Sequence, residues 1–280
     1  GNLLYAVKLC EQLQELPAGA RQIEKLPRGL KGLLEAIWQR LLDDEHWPLL
    51  RRGLGLLCAA REALLVSVLD ELLGGLEARE VFLRVTRPVL MEEPGKWRIG
   101  GEVAYRPYHE SFRGFLEEKL GGIAAMRSYH CELDKKLETW LVGSDDFRRE
   151  YSLRHSIAHR VEAADWKGVR TLILNTRYLE AKILATGVEA TEADLEQASR
   201  RSPQAGGLQK EIRDVGRALR AESHWLGQVP AALPGLLYNR LVNQNWPSED
   251  LDLLTAEAKN QALYLKHPLQ RKDMAERTLA

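Results

Sequence analysis

The chain has 280 residues, of which 45% are hydrophobic and 29% charged, and its 40 basic residues balance its 40 acidic residues. This composition is typical of a folded globular protein, and the length allows two domains. The absence of net charge argues against nucleic acid or an anionic membrane as the main partner. The three cysteines are widely spaced and form no CxxC pair, which indicates a cytoplasmic protein without disulfides.

The amino-terminal part of the chain predicts helices. Hydrophobic residues recur at helical spacing over Leu3–Leu16 and again over Leu30–Leu42. Three acidic residues, 43–45, follow the second stripe; they are unfavourable at the carboxyl end of a helix and therefore predict a turn. Charged residues interrupt the most apolar stretch, 49–73, so the sequence predicts no membrane span there.

Three short helices and a β-hairpin are predicted next. The helices have apolar residues at helical spacing and cover about 49–60, 66–73 and 77–87. Pro94-Gly95 then lies between two β-rich runs, which predicts a hairpin whose return strand includes Trp97–Ile99 and is extended or bulged through Val103–Tyr105. Three helices followed by a hairpin is the order of a winged-helix domain.

After Gly121 the sequence predicts helices only. They cover about 124–141, 150–164, 167–175, 178–186, 191–199, 208–226, 233–244 and 248–265. Thr191, with Asp194 three residues later, is predicted to cap the fifth of these helices. The stretch 202–207 (SPQAGG) is predicted to be a linker. Helices paired through short loops predict a solenoid-like arm, although no fixed repeat period is present.

No motif of the sequence indicates an enzyme. The chain contains no GxxxxGK[ST] or GxGxxG phosphate-binding loop and no GxSxG nucleophile motif. His155 and His159 have the spacing of a metal pair on a helix, but no HExxH glutamate lies between them and arginines flank them. Packing histidines are the favoured interpretation. The sequence therefore assigns no catalytic residue and no metal ligand.

A winged-helix domain can bind DNA through a basic recognition helix. The candidate helix, 77–87, carries Arg79, Arg84 and Arg87 together with two glutamates, so its patch is weakly basic. A winged-helix DNA-binding protein is therefore kept as an alternative. A non-enzymatic helical scaffold is the other alternative, because winged helices also serve as protein–protein modules.

The stretch Tyr105–Leu116 combines an aromatic, extended approach with a histidine at the start of a predicted helix. Two interpretations of His109 are open. The side chain either caps the following helix or fills a gap beneath the hairpin, or it donates a hydrogen bond to an anionic ligand held by a neighbouring domain.

Several segments resemble the STAND class of signalling NTPases, in particular bacterial NACHT or NB-ARC proteins with C-terminal WD repeats. Tyr108–Leu116 (YHESFRGFL) resembles their HxSFxEFL motif, with Gly114 in place of the usual glutamate. Leu26–Leu33 (LPRGLKGL) resembles LPxGLxxLY, and Tyr151–His159 (YSLRHSIAH) resembles the helix that begins their superhelical arm. Gly1–Ala6 (GNLLYA) resembles the start of their helical lid.

The resemblance implies a mainly α fold in three parts. Residues 1–45 would be the helical lid remnant of a nucleotide-binding module. Residues 46–122 would form a winged-helix domain with a small β-hairpin wing. Residues 123–280 would form a helical-repeat, superhelical arm and a linker towards a missing C-terminal sensor. The chain is accordingly expected to be part of a longer protein.

The resemblance also implies a function. The chain would be the regulatory, transmission segment that couples ligand sensing to ADP/ATP exchange and oligomerisation, with His109 contacting the β-phosphate of ADP and Asn2 and Leu3 lying beside the nucleotide. ADP or ATP, with Mg, would be held by the parent P-loop NTPase and not by this chain alone. The implied partners are the P-loop core, the WD-repeat sensor and the effector domain of the same protein, with a homo-oligomer on activation. A role in antiviral defence is in keeping with this class.

Overall fold

The computed structural model describes residues 29–94, 101–138, 147–204 and 207–256. Within these residues the protein is mainly α, with 14 α-helices and a small three-stranded antiparallel sheet. The expectation of a mainly α protein with a small β element is confirmed. The chain divides into two units, 1–133 and 134–280, and the division falls within the helix Gly122–Leu137.

The first unit combines five helices and the larger part of a sixth, Gly122–Leu137, with the sheet. The helices are α1 (Gly29–Leu42), α2 (Trp47–Ala59), α3 (Val66–Leu73), α4 (Leu76–Thr86), α5 (Glu110–Lys119) and α6 (Gly122–Leu137). The strands are β1 (Leu64–Leu65), β2 (Leu90–Pro94) and β3 (Val103–Pro107), in the order β1-β3-β2. Leu64 pairs with Tyr105, and Leu90 pairs with Pro107.

The predicted boundaries of α2, α3 and α4 agree closely with the structure. Pro48 lies in the first turn of α2. N–H groups in the first turn of a helix have no hydrogen-bond partner within the helix, so a proline, which lacks this group, is tolerated there. Gly74 ends α3 in the left-handed conformation, with φ of 100°, which a residue with a side chain rarely adopts. The sheet differs from the prediction in two ways. β1 was not predicted, and the return strand is β3, whereas 95–100, with the predicted turn and Trp97–Ile99, lie outside the described residues.

Helix α2 is the centre of the first unit, and two of its glycines bring aromatic rings against its backbone. A Cβ atom on Gly53 would lie 2.9 Å from Cζ of Phe82, and one on Gly55 would lie 2.6 Å from Cε1 of Tyr129. Both distances are far below van der Waals contact, so the rings occupy the space that a side chain would need. Phe82, from α4, is fully buried there.

The second unit consists of helices joined by short turns. They are α7 (Phe147–Glu162), α8 (Trp166–Leu174), α9 (Thr176–Thr186), α10 (Val188–Arg201), α11 (Leu208–Ala221), α12 (Ser223–Gln228), α13 (Leu233–Val242) and α14 (Ser248–Ala256). One continuous hydrophobic core runs from α7 to α14. Two side-chain caps start helices here: Asp165 accepts from the N–H of Gly168, and Asn175 accepts from the N–H of Tyr178.

A buried ion network fixes the start of this unit. Nε of Arg160 donates to Asp134 at 2.9 Å, and a terminal nitrogen of the same guanidinium donates to Glu138 at 2.5 Å. Its other terminal nitrogen donates to the carbonyl of Gly168 at 3.0 Å. Burial raises the pKa of Asp134 even though Arg160 is its partner. Removing one member of such a buried pair would leave the other charge without a partner, at a cost of about 3–5 kcal/mol.

Two predictions for this unit were wrong. Thr191 does not cap its helix, because α10 begins at Val188 and the Thr191 hydroxyl donates back to the carbonyl of Gly187 at 2.9 Å. The predicted helix 208–226 is two helices, α11 and α12, since Glu222 leaves the helical conformation with φ of −107° and ψ of 9°.

None of the helices among the described residues combines the length and the apolar character that crossing a membrane requires.

The packing of α2 leads to a stability prediction. Gly53→Ala should lower the free energy of unfolding by about 1–3 kcal/mol, because the added methyl group overlaps the Phe82 ring in a packed core. Gly114→Ala is the matched control, because Gly114 also lies inside a helix but nothing lies within 4 Å of an added Cβ. It should raise the free energy of unfolding by up to about 1 kcal/mol. Urea denaturation measures both, and equal effects of the two variants would contradict this packing.

Candidate functional site

His109 lies between strand β3 and helix α5, where it is the N-cap residue of the helix. Its backbone is extended, with φ of −151° and ψ of 151°. Its Nδ1 atom accepts a hydrogen bond from the N–H group of Ser111 at 3.1 Å. The side chain therefore satisfies one of the N–H groups that the first turn of a helix leaves without an internal partner.

This cap determines which ring nitrogen is free to act on a ligand. Since Nδ1 of His109 accepts a hydrogen bond, the hydrogen of the neutral ring is on Nε2. Among the described residues Nε2 has no hydrogen-bond partner, and the His109 side chain is exposed. The geometry thus makes the two interpretations of His109 compatible, because the ring caps a helix through one nitrogen and presents an N–H donor through the other.

Helix α1 lies beside this histidine. A small apolar groove is lined by α1, by Pro88-Val89 and by Tyr108, His109 and Phe112. The open space within it is about 20 Å³, which is room for a single water molecule. The groove therefore holds no nucleotide, and a ligand of His109 must approach from the exposed side of the ring.

Contacts between α1 and α5 hold this arrangement. Lys119 of α5 forms an ion pair with Glu35 of α1 at 2.8 Å. The rings of Trp38 and Phe115 meet edge to face, with centroids 6.4 Å apart. Within α5 itself, Arg113 forms an ion pair with Glu117 at 3.1 Å. Both cations are thus engaged in ion pairs within the unit, and the exposed side chains at the start of α5 are those of His109, Glu110 and Ser111.

Of the predicted nucleotide contacts, only His109 can be placed. Asn2 and Leu3 lie outside the described residues. The predicted proximity of these two residues to His109 therefore stays a prediction.

The histidines of α7 pack against aromatic rings. Nε2 of His159 lies 2.9 Å from the hydroxyl of Tyr151, and the ring of His155 meets the Tyr151 ring edge-on, with centroids 4.8 Å apart. His159 is buried. No group of three or more histidine, cysteine, aspartate or glutamate side chains suitable for a metal ion occurs among the described residues.

Lys182 is a buried cation that the sequence analysis missed. Its Nζ atom donates to the carbonyls of Leu153 and Arg154, at 2.7 and 3.2 Å, and pairs with Asp194 at 2.7 Å. Burial lowers the pKa of Lys182 below its ordinary value, with Asp194 opposing the shift. A buried lysine of this kind is a functional candidate in principle. Its side chain is only 1% exposed and its hydrogen bonds all lie within the helix array, so the contacts are structural.

Burial also controls the thiol of Cys58 in the first unit. This side chain on α2 is fully buried. Burial raises the pKa of the Cys58 thiol well above its ordinary range, with Glu117 contributing in the same direction. The thiolate is the nucleophilic form of cysteine, so Cys58 is inert in the folded unit.

Comparison of the chain with known protein families and with curated protein sequences finds no match.

The cap leads to a prediction for the stability of this unit. His109→Ala should lower the free energy of unfolding by about 1 kcal/mol, because the N–H group of Ser111 loses its acceptor. His109→Asp should retain the wild-type value, since a carboxylate at the N-cap accepts the same bond and interacts favourably with the helix dipole. Thermal unfolding of the two variants tests the role of Nδ1. A His109→Asp variant as unstable as His109→Ala would show that the ring contributes by packing instead.

A second prediction concerns Lys182 and pH. Because the folded-state pKa of Lys182 is lower than its ordinary value of 10.5, the unfolded chain binds more protons between these two values. The contribution of Lys182 to the free energy of unfolding therefore rises with pH in this window. The difference in free energy of unfolding between the wild type and Lys182→Met should grow in favour of the wild type as the pH is raised towards 10.5. A difference that is constant over this range would contradict the lowered pKa.

Proposed function

We propose that the chain is the transmission segment of a STAND-class NTPase, which couples ligand sensing to ADP/ATP exchange and to oligomerisation. His109 is the residue on which this proposal depends. The cap at the junction of β3 and α5 leaves the hydrogen of the neutral ring on Nε2, and the His109 side chain is exposed. An exposed N–H donor with a fixed direction suits a phosphate oxygen held by a neighbouring P-loop core.

The order of elements supports the proposal. Helices α2, α3 and α4 are followed by the hairpin of β2 and β3, as expected for a winged-helix domain at 46–122. The two-residue strand β1 adds a third strand beside β3. Helices α7 to α14, joined by short turns, are consistent with a helical-repeat arm at 123–280. In the same proposal α1 belongs to a lid remnant at 1–45, and the proposal is supported by the small groove that α1 and His109 line together.

In this proposal His109 is the nucleotide contact that lies among the described residues, Asn2 and Leu3 are the further predicted contacts, and the chain supplies no catalytic group. ADP or ATP, with Mg, is held by the parent protein, and the phosphates bring the charge that His109 recognises. A hydrogen bond to a charged partner contributes about 1.5–3 kcal/mol. Allosteric couplings have the same size, about 1–3 kcal/mol. The contact is thus strong enough to bias a resting state and weak enough for a signal from the arm to release it.

The remaining features of the proposal follow from the class of protein. The partners are the P-loop core, a WD-repeat sensor and an effector domain of the same protein. Activation produces a homo-oligomer in the cytoplasm.

The structure argues against the DNA-binding alternative, because one of the three arginines of the candidate recognition helix is not available to DNA. Arg79 is 14% exposed, and its Nε lies 3.1 Å from Asp70, in a charge contact without the direction of a good hydrogen bond. Arg79 is therefore turned towards α3 and away from solvent. Arg84 and Arg87 are exposed, and two surface arginines are a small electrostatic footprint for duplex DNA.

The proposal predicts a specific effect of His109→Asp in the full-length parent protein. The aspartate retains the helix cap, but it replaces the N–H donor with an anion that faces the phosphate. ADP binding should weaken by about tenfold or more, and the protein should become active without its ligand. Isothermal titration with ADP and a count of oligomers by light scattering measure the two effects.

Arg84→Gln, on the exposed face of α4, is the control and should behave as the wild type. A His109→Asp protein that binds ADP as tightly as the wild type would refute the role of His109. A full-length wild-type protein that binds neither ADP nor ATP would refute the proposed function as a whole.

A further inference from the structure

A groove of about 350 Å³ lies between α10 and α11 within the second unit. Four arginines line it: Arg200 from α10, and Arg213, Arg217 and Arg220 from α11. Its volume is in the range of ligand-binding clefts. Neither the sequence motifs nor the proposed nucleotide switch accounts for this concentration of guanidinium groups.

The charges of the groove are only partly compensated. Glu196 accepts a hydrogen bond from Arg200 at 2.6 Å, and Glu192 accepts one from Arg220. Arg213 and Arg217 are exposed and have no ion pair among the residues that the structure describes. Four arginines against two glutamates leave two positive charges, and these are the two guanidinium groups without a partner.

Helical spacing places the uncompensated charges on one face. Arg213, Arg217 and Arg220 are separated by four and three residues on α11, so their side chains lie in one row. Gly216 lies in the same row and contributes no side chain. A Cβ atom there would lie 3.7 Å from Cβ of Leu195, which shows that α10 passes directly beneath. The floor of the groove is thus helix backbone, and the arginines form its wall.

The opposite face of α11 is held in the core. Ile212, Val215 and Leu219 are at most 1% exposed. A helix anchored in this way holds the backbone and the Cβ atoms of its exposed residues nearly fixed, although the long arginine side chains keep their rotamer freedom. The backbone therefore loses little conformational entropy when a partner binds to this face.

We infer that this groove binds an acidic helical segment of a partner protein. On a helix, two carboxylates four residues apart have the same separation as Arg213 and Arg217, since both pairs follow the same repeat. Each guanidinium can then hold one carboxylate through two parallel N–H···O bonds. The occupant is thus a peptide with paired glutamates or aspartates at this spacing.

The glutamates of the groove favour a peptide over nucleic acid. Glu192 and Glu196 line the wall opposite the uncompensated arginines. A nucleic-acid strand carries a charge at every nucleotide, so a strand laid along the groove brings phosphates close to these carboxylates. A peptide helix can present its acidic side to α11 and neutral residues to α10. The zero net charge of the chain is also unfavourable for a nucleic-acid partner.

The test uses the full chain and a fluorescent alanine-based peptide of about 15 residues with glutamate pairs four residues apart. Fluorescence anisotropy should show saturable binding that weakens as salt is raised, because the contacts are between exposed charges. The same peptide with glutamine in place of glutamate should not bind. In Arg213→Gln/Arg217→Gln the affinity should fall by roughly tenfold or more.

Arg84→Gln/Arg127→Gln is the matched control, because it removes two exposed arginines of the first unit that also have no ion pair among the described residues. This variant should bind the peptide as the wild type does. Thermal unfolding of both double variants verifies that they fold. Equal binding of the glutamine peptide, equal losses in the two variants, or stronger competition by single-stranded RNA of the same charge would each overturn the inference.

Discussion

The close approach of two aromatic rings to α2 is the constraint on which the first unit depends. Gly53 and Gly55 leave room for Phe82 from α4 and Tyr129 from α6, so both helices lie against the α2 backbone itself. Helix α2 also contacts β3 and α5, the two elements that meet at His109. The position of the histidine is therefore a consequence of packing around α2. A substitution of Gly53 or Gly55 would therefore shift the position of His109 although neither glycine contacts the histidine.

His109 links the stability of the unit to its proposed function. One nitrogen of the ring holds the start of α5, and this bond leaves the other nitrogen as the donor. A random ring orientation would require the ligand to select one state from several, with a corresponding loss of affinity. Here the helix cap makes that selection in advance. Any signal that loosens the start of α5 would therefore also weaken a contact at Nε2.

Many of the helix boundaries can be predicted from the local sequence pattern. Where a prediction was wrong or a feature was missed, the structure shows the physical reason. Proline at the start of α2 and Gly74 at the end of α3 fix boundaries within one turn of the chain, so the sequence predicts them well. Strand β1 is two residues long and exists because β3 lies beside it, which periodicity does not detect. Thr191 has the pattern of a cap, but its hydroxyl is satisfied inside α10. The partners of Lys182 come from α7 and α10, and no local rule connects them.

The burial of two reactive side chains gives each unit a natural chemical reporter. Acylating reagents need access to a neutral amine, and alkylating reagents need access to a thiolate. Lys182, at 1% exposure, is protected as long as α7, α9 and α10 stay together. Cys58, with no exposed surface, is protected as long as α2 stays in its core. Mass spectrometry of the modified peptides would therefore distinguish opening of the helical array from opening of the first unit, in the unaltered protein and without an inserted label.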